Sequence, residues 1–302
     1  MGLVSKYEEP DALWFGIGIH EALAQWYKPG LRRGVQPAAY FRQWCGDEMR
    51  EIAANYNDRD SVWGEDAPKY EDALELGVAM LEGYIDEYGK DPDWDVIATE
   101  YPFEVNVTHE GETVAVFASV WDGVYRDRSD GLLYLMEHKT ARQISTSYLA
   151  LDDQAGAYWA VAGTFLRAKG VLRPDEEIAG ITYNFLRKSM PDERLVNDEG
   201  LSLNKDGSVS KKQPTSRFLR EVVERSPAEQ QTQLLRMADE VRVMNAMRDG
   251  TIPVYKNTNR DCTFCQFFTM CTLHERGGES WKTVMKAEFV QQNPYADRRK
   301  PA

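Results

Sequence analysis

Residues 132–140, LLYLMEHKT, form a dense apolar run that ends in an acid, an imidazole and an amine. A run of this length and composition reads as a buried β-strand whose side chains alternate between two faces. By that period Leu133, Leu135, Glu137 and Lys139 share one face, and His138 points to the other. An ionised carboxylate in a core is costly unless it is paired or bound to a metal. This stretch therefore demands a sheet with a charged end, and a partner for that charge.

Two preceding segments supply neighbours. Residues 99–107 and 113–125 alternate or are densely apolar, with turn chemistry at His109-Glu110-Gly111 and at Ser129-Asp130-Gly131. They read as consecutive antiparallel strands leading into 132–140. In the second, Val114, Val116, Ala118, Val120 and Asp122 fall on one face, so Asp122 closes an otherwise apolar row. Adjacent strands thus each put an acid where a core residue belongs. Asp122, Glu137 and Lys139 then converge at one sheet edge, either as a buried ion pair or as a hard-oxygen site for Mg²⁺ or Mn²⁺.

Helical periodicity surrounds these strands. Leu13, Ile17, His20, Ala24 and Tyr27 recur at helical spacing before Pro29-Gly30, a second helix spans 37–56, and a third spans 68–88. A long helix is predicted over 145–169, with Tyr148, Leu151, Ala155, Tyr158, Ala162 and Phe165 on one face, followed by a strand over 180–186. Residues 190–216 are polar and turn-rich, with a hairpin signal at Lys205-Asp206-Gly207. Ser226-Pro-Ala-Glu229 has capping-box spacing and opens a helix to about Arg248. No repeat or long linker divides the chain. One α/β unit over 1–302 is expected, with a mainly helical part (1–95), a core (96–186), a basic excursion (187–220) and a C-terminal helix with a cysteine cluster (221–302).

Charge narrows the partners. The net charge is -13, but 16 acids against four bases in 47–95 account for -12 of it. Residues 187–220 hold eight bases against five acids, net +3, with Arg187, Lys188, Lys205, Lys211, Lys212 and Arg217 placed to neutralise a phosphate backbone. No apolar run approaches the roughly 20 residues of a membrane helix, and the start MGLVSKYEEPD has no signal-peptide core. A cytoplasmic protein is expected (host cytoplasm if phage-encoded), where four cysteines serve as ligands or free thiols more readily than as disulfides.

Asp122 followed by Glu137-x-Lys139 on the next strand resembles the PD-(D/E)xK nuclease superfamily. Gln154-Ala-Gly-Ala-Tyr158 resembles the QxxxY element of its RecB-like branch, which includes phage and bacterial recombination exonucleases. Gly16-Ile-Gly-Ile-His20-Glu resembles that branch's N-terminal histidine helix, and Glu100, on the strand before Asp122, matches an acid often found at that place in the family. The resemblance implies a restriction-endonuclease-like core, a mixed sheet flanked by helices. It implies His20, Asp122, Glu137 and the backbone carbonyl of His138 as ligands of one or two Mg²⁺ or Mn²⁺ ions. Lys139 would act on the attacking water and the phosphate, with Gln154 and Tyr158 orienting the site.

Cys262-Thr-Phe-Cys265 and Cys271 resemble the C-terminal iron–sulfur staple of the AddB subgroup, which implies a 4Fe–4S cluster completed by Cys45. In that subgroup the first cysteine usually precedes the histidine helix, whereas Cys45 follows it. Zinc held by Cys262, Cys265, Cys271 and His274 is the alternative. The implied activity is a metal-dependent deoxyribonuclease, an exonuclease of recombination or repair. It would act on single- or double-stranded DNA ends beside a recombinase, single-strand-binding protein or helicase, with no membrane partner. A non-catalytic nucleic-acid-binding or structural protein on the same fold, and a CRISPR-associated adaptation nuclease, are the alternatives.

Overall fold

The apolar run at 132–140 is the central strand of a five-stranded sheet in the computed structural model, which describes residues 2–5, 12–55, 60–254 and 256–292. In chain order the elements are β1 (Gly2–Ser5), α1 (Ala12–Trp26), α2 (Pro37–Asn55) and α3 (Asp60–Tyr88). Strands β2 (Trp94–His109), β3 (Glu112–Asp127) and β4 (Leu133–Ala141) follow. Then come α4 (Asp153–Ala168), β5 (Ile178–Arg187), β6 (Phe218–Val223) and α5 (Pro227–Arg248). The chain closes on α6 (Phe268–Glu275), α7 (Ser280–Glu288) and β7 (Phe289–Gln292). The sheet runs β2-β3-β4-β5-β6, antiparallel throughout except for the parallel β4–β5 pair, which α4 connects. A separate two-stranded pair joins β1 to β7.

Each face of the sheet has its own core. On one, α1, α2 and α3 pack Trp14, Phe15, Ile19, Leu23, Phe41 and Leu81 over Val96, Tyr125, Met136 and Leu186. On the other, α4 and α5 bring Ala155, Tyr158, Trp159, Ala162, Leu166 and Met237 over Trp121, Leu133, Leu135, Tyr183 and Phe185. Two glycines set how closely the N-terminal helices approach. A Cβ on Gly18 of α1 would overlap the Trp44 ring, and one on Gly77 of α3 would overlap Phe41.

The predicted capping box is present. Ser226 accepts from the Glu229 N–H, and the Glu229 carboxylate accepts from the Ser226 N–H at 2.7 Å. Three expectations are corrected. The helix expected over 145–169 starts at Asp153, because the Asp152 carboxylate caps it, accepting from the Ala155 N–H at 2.7 Å; a separate 3₁₀ turn at Leu149–Leu151 precedes it. The helix expected from Pro68 begins at Asp60 and carries Pro68 within it. The row Val114–Val120 is not the core face of β3, since Val116 is exposed while Phe117 and Trp121 join the α4 side. The expected hairpin at Lys205-Asp206-Gly207 is found as a bridge between Leu203 and Val209, with Gly207 at φ +84°.

The basic excursion is also more committed than its charge suggests. Arg217 donates to the Ala79 carbonyl at 2.8 Å, and Arg194 is held by Asp192, Ser210 and the Lys212 carbonyl. Arg220 is buried deepest. It forks onto both oxygens of Asp91, at 2.5 and 2.9 Å, and lies between the rings of Tyr88 and Trp94. Lys205, Lys211 and Lys212 remain exposed.

Candidate metal centre

The sheet makes room for its charged end by opening a fork. β3 and β4 are paired only from Gly123–Met136 to Arg126–Leu133, whereas β4 stays paired with β5 through Ala141. Beyond Met136 the strands diverge, and the Asp122 carboxylate fills the gap by accepting the backbone N–H of His138 at 2.5 Å. The other Asp122 oxygen lies 3.1 Å from His20 Nδ1, which α1 lowers onto the fork. In the β2–β3 register Glu100 sits opposite Asp122, between the Thr99–Gly123 and Tyr101–Trp121 pairs, with φ +45°. A left-handed backbone at a non-glycine residue is costly and persists where the surroundings enforce it.

His20, Glu100 and Asp122 thus bring three ligand atoms within 4.8 Å of one another, among the described residues the one such group of three or more. One Glu100 carboxylate oxygen is buried without a hydrogen-bond partner. An imidazole nitrogen with hard carboxylate oxygens fits a divalent cation such as Mg²⁺ or Mn²⁺. Glu100 is not among the ligands the family resemblance implies, which are His20, Asp122, Glu137 and the His138 carbonyl. Its signal was its position in the strand preceding Asp122; its backbone conformation and its facing position are tertiary facts.

Glu137 and Lys139 occupy the adjoining face. Lys139 Nζ lies 2.7 Å from Glu137 Oε1 and donates to Gln154 Oε1 at 2.6 Å. Gln154 Nε2 donates to Glu137 Oε1 at 3.0 Å and to the Tyr158 hydroxyl at 3.1 Å. That hydroxyl also lies 3.0 Å from Ser119 Oγ and donates to the Val120 carbonyl. The glutamine on the first turn of α4 therefore joins the acid, the amine and the phenol in one network. Glu137 is not in the His20–Glu100–Asp122 group; in this geometry its nearest cation is Lys139.

The electrostatics are those of an anionic site. Burial pushes the Glu100 carboxyl up to about 7, and the Asp122 charge adds to this. Burial and Asp122 likewise raise Glu137 above the ordinary carboxylate range, against the pull of Lys139. Burial alone would lower His20, but the charge and hydrogen bond of Asp122 outweigh it and hold the imidazole up at about 9. Burial would raise Asp122, yet it is held low by His20 and by the His138 N–H. Carboxylates that retain protons for want of a counter-charge are those a divalent cation would deprotonate.

His138 points to the face opposite Glu137, as the strand period predicts, with its ring 5.8 Å from that of His20. Its ring is buried, pushed down to about 3 by that burial, with Nδ1 2.9 Å from Asn184 Nδ2. Asn184 in turn meets Tyr84 and Arg220, so the buried Asp91–Arg220 pair reaches the back of the site through one amide.

The cysteines are not brought together as a four-thiolate set. Cys45 is sealed in the core beneath α1–α3, a cluster that draws no member from 256–292, and burial pushes its thiol up to about 12. Cys262 is half-buried, while Cys265 and Cys271 are exposed. A protonated thiol in apolar surroundings is a poor ligand. The arrangement therefore does not fit a 4Fe–4S cluster completed by Cys45. Nor do three of the cysteines, or His274 with two of them, lie within the 4.8 Å that a single zinc ion needs, among the described residues.

No helix among the described residues is long and apolar enough to cross a membrane. A search of curated proteins finds no match. A family model described as PD-(D/E)XK nuclease superfamily matches residues 1–272, a span that takes in the fork, all three helices over the first core and α4. With a mixed central sheet flanked by helices and an acid, acid, lysine set at its forked end, the chain belongs to the PD-(D/E)XK nuclease superfamily, whose members use divalent metals.

Proposed function

We propose that this protein is a Mg²⁺- or Mn²⁺-dependent deoxyribonuclease of the RecB-like branch, acting as an exonuclease in DNA recombination or repair. The observation that carries the reading is the convergence of His20, Glu100 and Asp122 beside the Glu137–Lys139–Gln154 network. A bound cation in such a site supplies charge for the phosphoryl oxygens and acidifies a water. His20, Glu100 and Asp122 would hold it, with Glu137 joining from β4.

The residues of the chain do the rest. Lys139 is held protonated, since Glu137 and Asp122 together outweigh the burial that opposes its charge. It thus presents a fixed cation where negative charge develops on a phosphate. Gln154 aims that ammonium through its Oε1 and keeps Glu137 oriented through its Nε2. Tyr158, anchored on Ser119 and Val120, fixes Gln154. The Asp122 contact with the His138 N–H ties the ligand to β4, so the two strands of the fork keep one spacing. A cytoplasmic setting and DNA ends as substrate follow from this reading.

The test is digestion of linear and circular DNA with Mg²⁺ or Mn²⁺. Linear DNA should be degraded and circular DNA spared. Lys139→Ala should lower the rate about 10²- to 10³-fold, as for a removed charge-stabilising group, and Asp122→Asn should abolish the cation-dependent cleavage. A wild-type protein that binds Mn²⁺ yet cuts no DNA would refute the reading.

A further inference from the structure

The turn between β4 and α4 is built rigidly and then presents apolar side chains to solvent. Leu149 is its buried anchor, at 2% exposure. The Arg225 guanidinium, itself largely buried, reaches across from the start of α5. It donates to the Ala150 carbonyl, to Leu149 O at 2.9 Å and to Asp152 O at 3.3 Å. Asp152 caps α4 and accepts from the Tyr183 hydroxyl at 3.2 Å. So braced, the turn has no need of Tyr148 or Leu151 for its own packing, yet it holds them 44% and 82% exposed.

Their position is next to the chemistry. Two residues on from Asp152, Gln154 binds Lys139. The Tyr148 phenol feels the charges of Asp152, Lys139 and Glu137. On the opposite face of β4, α1 passes so close that Gly16 lies against Thr140, and Ile17, one turn before His20, is 48% exposed. Ile17 shares a helical stripe with Leu13, His20, Ala24 and Tyr27; Ala24 and Tyr27 are buried, whereas Leu13 and Ile17 at its start are exposed. The end of β4 is thus bordered by exposed apolar groups on both faces, with the exposed Arg142 just beyond.

We infer that Tyr148 and Leu151, with Ile17 opposite, form a stacking rim that holds the unpaired bases of a single-stranded DNA end against the Lys139 site. This rests on the nuclease reading above and specifies the form of its substrate. Outside 47–95, which holds -12 of the net charge of -13, the chain is close to neutral, and Arg217 and Arg220 are engaged internally, so backbone attraction is weak here. Base stacking on an aromatic ring supplies affinity without it and is tolerant of sequence. A duplex keeps its bases stacked on one another and offers the rim nothing.

Binding of a fluorescent oligothymidylate, measured by anisotropy in Ca²⁺, tests this. Tyr148→Ala should weaken binding about 10-fold, from the usual worth of one base–aromatic stack, and raise KM for single-stranded substrate with little change in kcat. Tyr148→Phe should restore both, since the ring and not the hydroxyl is used. Mn²⁺-dependent cleavage of a strand of abasic tetrahydrofuran residues, which offers no aromatic group to stack, should be unchanged in both variants. Affinity of Tyr148→Ala within two-fold of wild type overturns the inference, as does Tyr148→Phe as weak as Tyr148→Ala, or an equal loss on duplex. Loss of cleavage of the abasic strand in Tyr148→Ala also overturns it, by placing the residue in the chemistry. Wild type that binds the oligonucleotide through Tyr148 but cleaves nothing would sink the nuclease reading alone.

Discussion

Replacing Arg220 by methionine keeps an unbranched stem between Tyr88 and Trp94 but removes the guanidinium that faces Asp91. In the native structure that group donates to both Asp91 oxygens, to Tyr84 Oη at 2.7 Å, to Tyr27 Oη at 3.1 Å and to Asn184 Oδ1 at 3.3 Å. Its carbon lies 3.7 Å from the Tyr88 ring centroid and 4.3 Å from that of Trp94. The variant would leave a buried carboxylate with the Tyr27 hydroxyl, at 2.7 Å, as its remaining side-chain donor.

Removing one partner of a buried ion pair costs about 3–5 kcal/mol, because the other charge stays buried and unpaired. Stacking of the cation on two rings adds up to about 2 kcal/mol where it is desolvated. A loss near the upper end of that range is expected in urea unfolding followed by tryptophan fluorescence, for which Trp94 is a local reporter. The double variant Asp91→Asn/Arg220→Met removes the stranded charge and should cost at least about 1.5 kcal/mol less than the two single losses summed. Additive losses, or an Arg220→Met cost below about 1 kcal/mol, would show that the pair is not the keystone its geometry indicates.

Three further outcomes follow. With EDTA present, Glu100 has its folded pKa at about 7 against 4.5 unfolded, and His20 has its own at about 9 against 6.5. Both are raised, so the stability each contributes is complete below its unfolded value and is lost as pH rises through the folded one. The melting temperature should therefore fall between pH 5 and 9. Glu100 alone accounts for about 3 kcal/mol of that loss, and Mn²⁺ should restore most at the alkaline end. A flat profile in EDTA would contradict the buried anionic site. Gly77→Ala should destabilise by about 1–3 kcal/mol, since its Cβ meets the Phe41 ring and overpacking costs that much; chemical denaturation reads it directly. Iodoacetamide on the native protein should label Cys265 and Cys271 and spare Cys45 until unfolding, by peptide mass spectrometry.

Much of the site is legible before folding because its parts are short-range patterns. Glu137 and Lys139 are separated by the strand period, Gln154 and Tyr158 by one helical turn, and Ser226 and Glu229 by capping-box spacing. Each spacing is a property of one element, and the structure brings Lys139, Glu137, Gln154 and Tyr158 into a single hydrogen-bonded set. The cysteine pattern was equally legible as a motif, yet Cys45 lies in a core to which the other three do not belong. Spacing along a chain says nothing of whether a distant fourth partner arrives.

What the sequence by itself determined is the chemistry carried on each strand and helix: two acids and a lysine at strand ends, a histidine on the first helix, a glutamine and a tyrosine one turn apart. Tertiary structure alone decided that β3 and β4 part beyond Met136, that Glu100 turns through a left-handed backbone to face His20 and Asp122, and that Ile17 is left exposed. Local periodicity identifies which residues share a face. Only the packing of two helical layers on opposite sides of one sheet decides whether that face meets the core or the substrate.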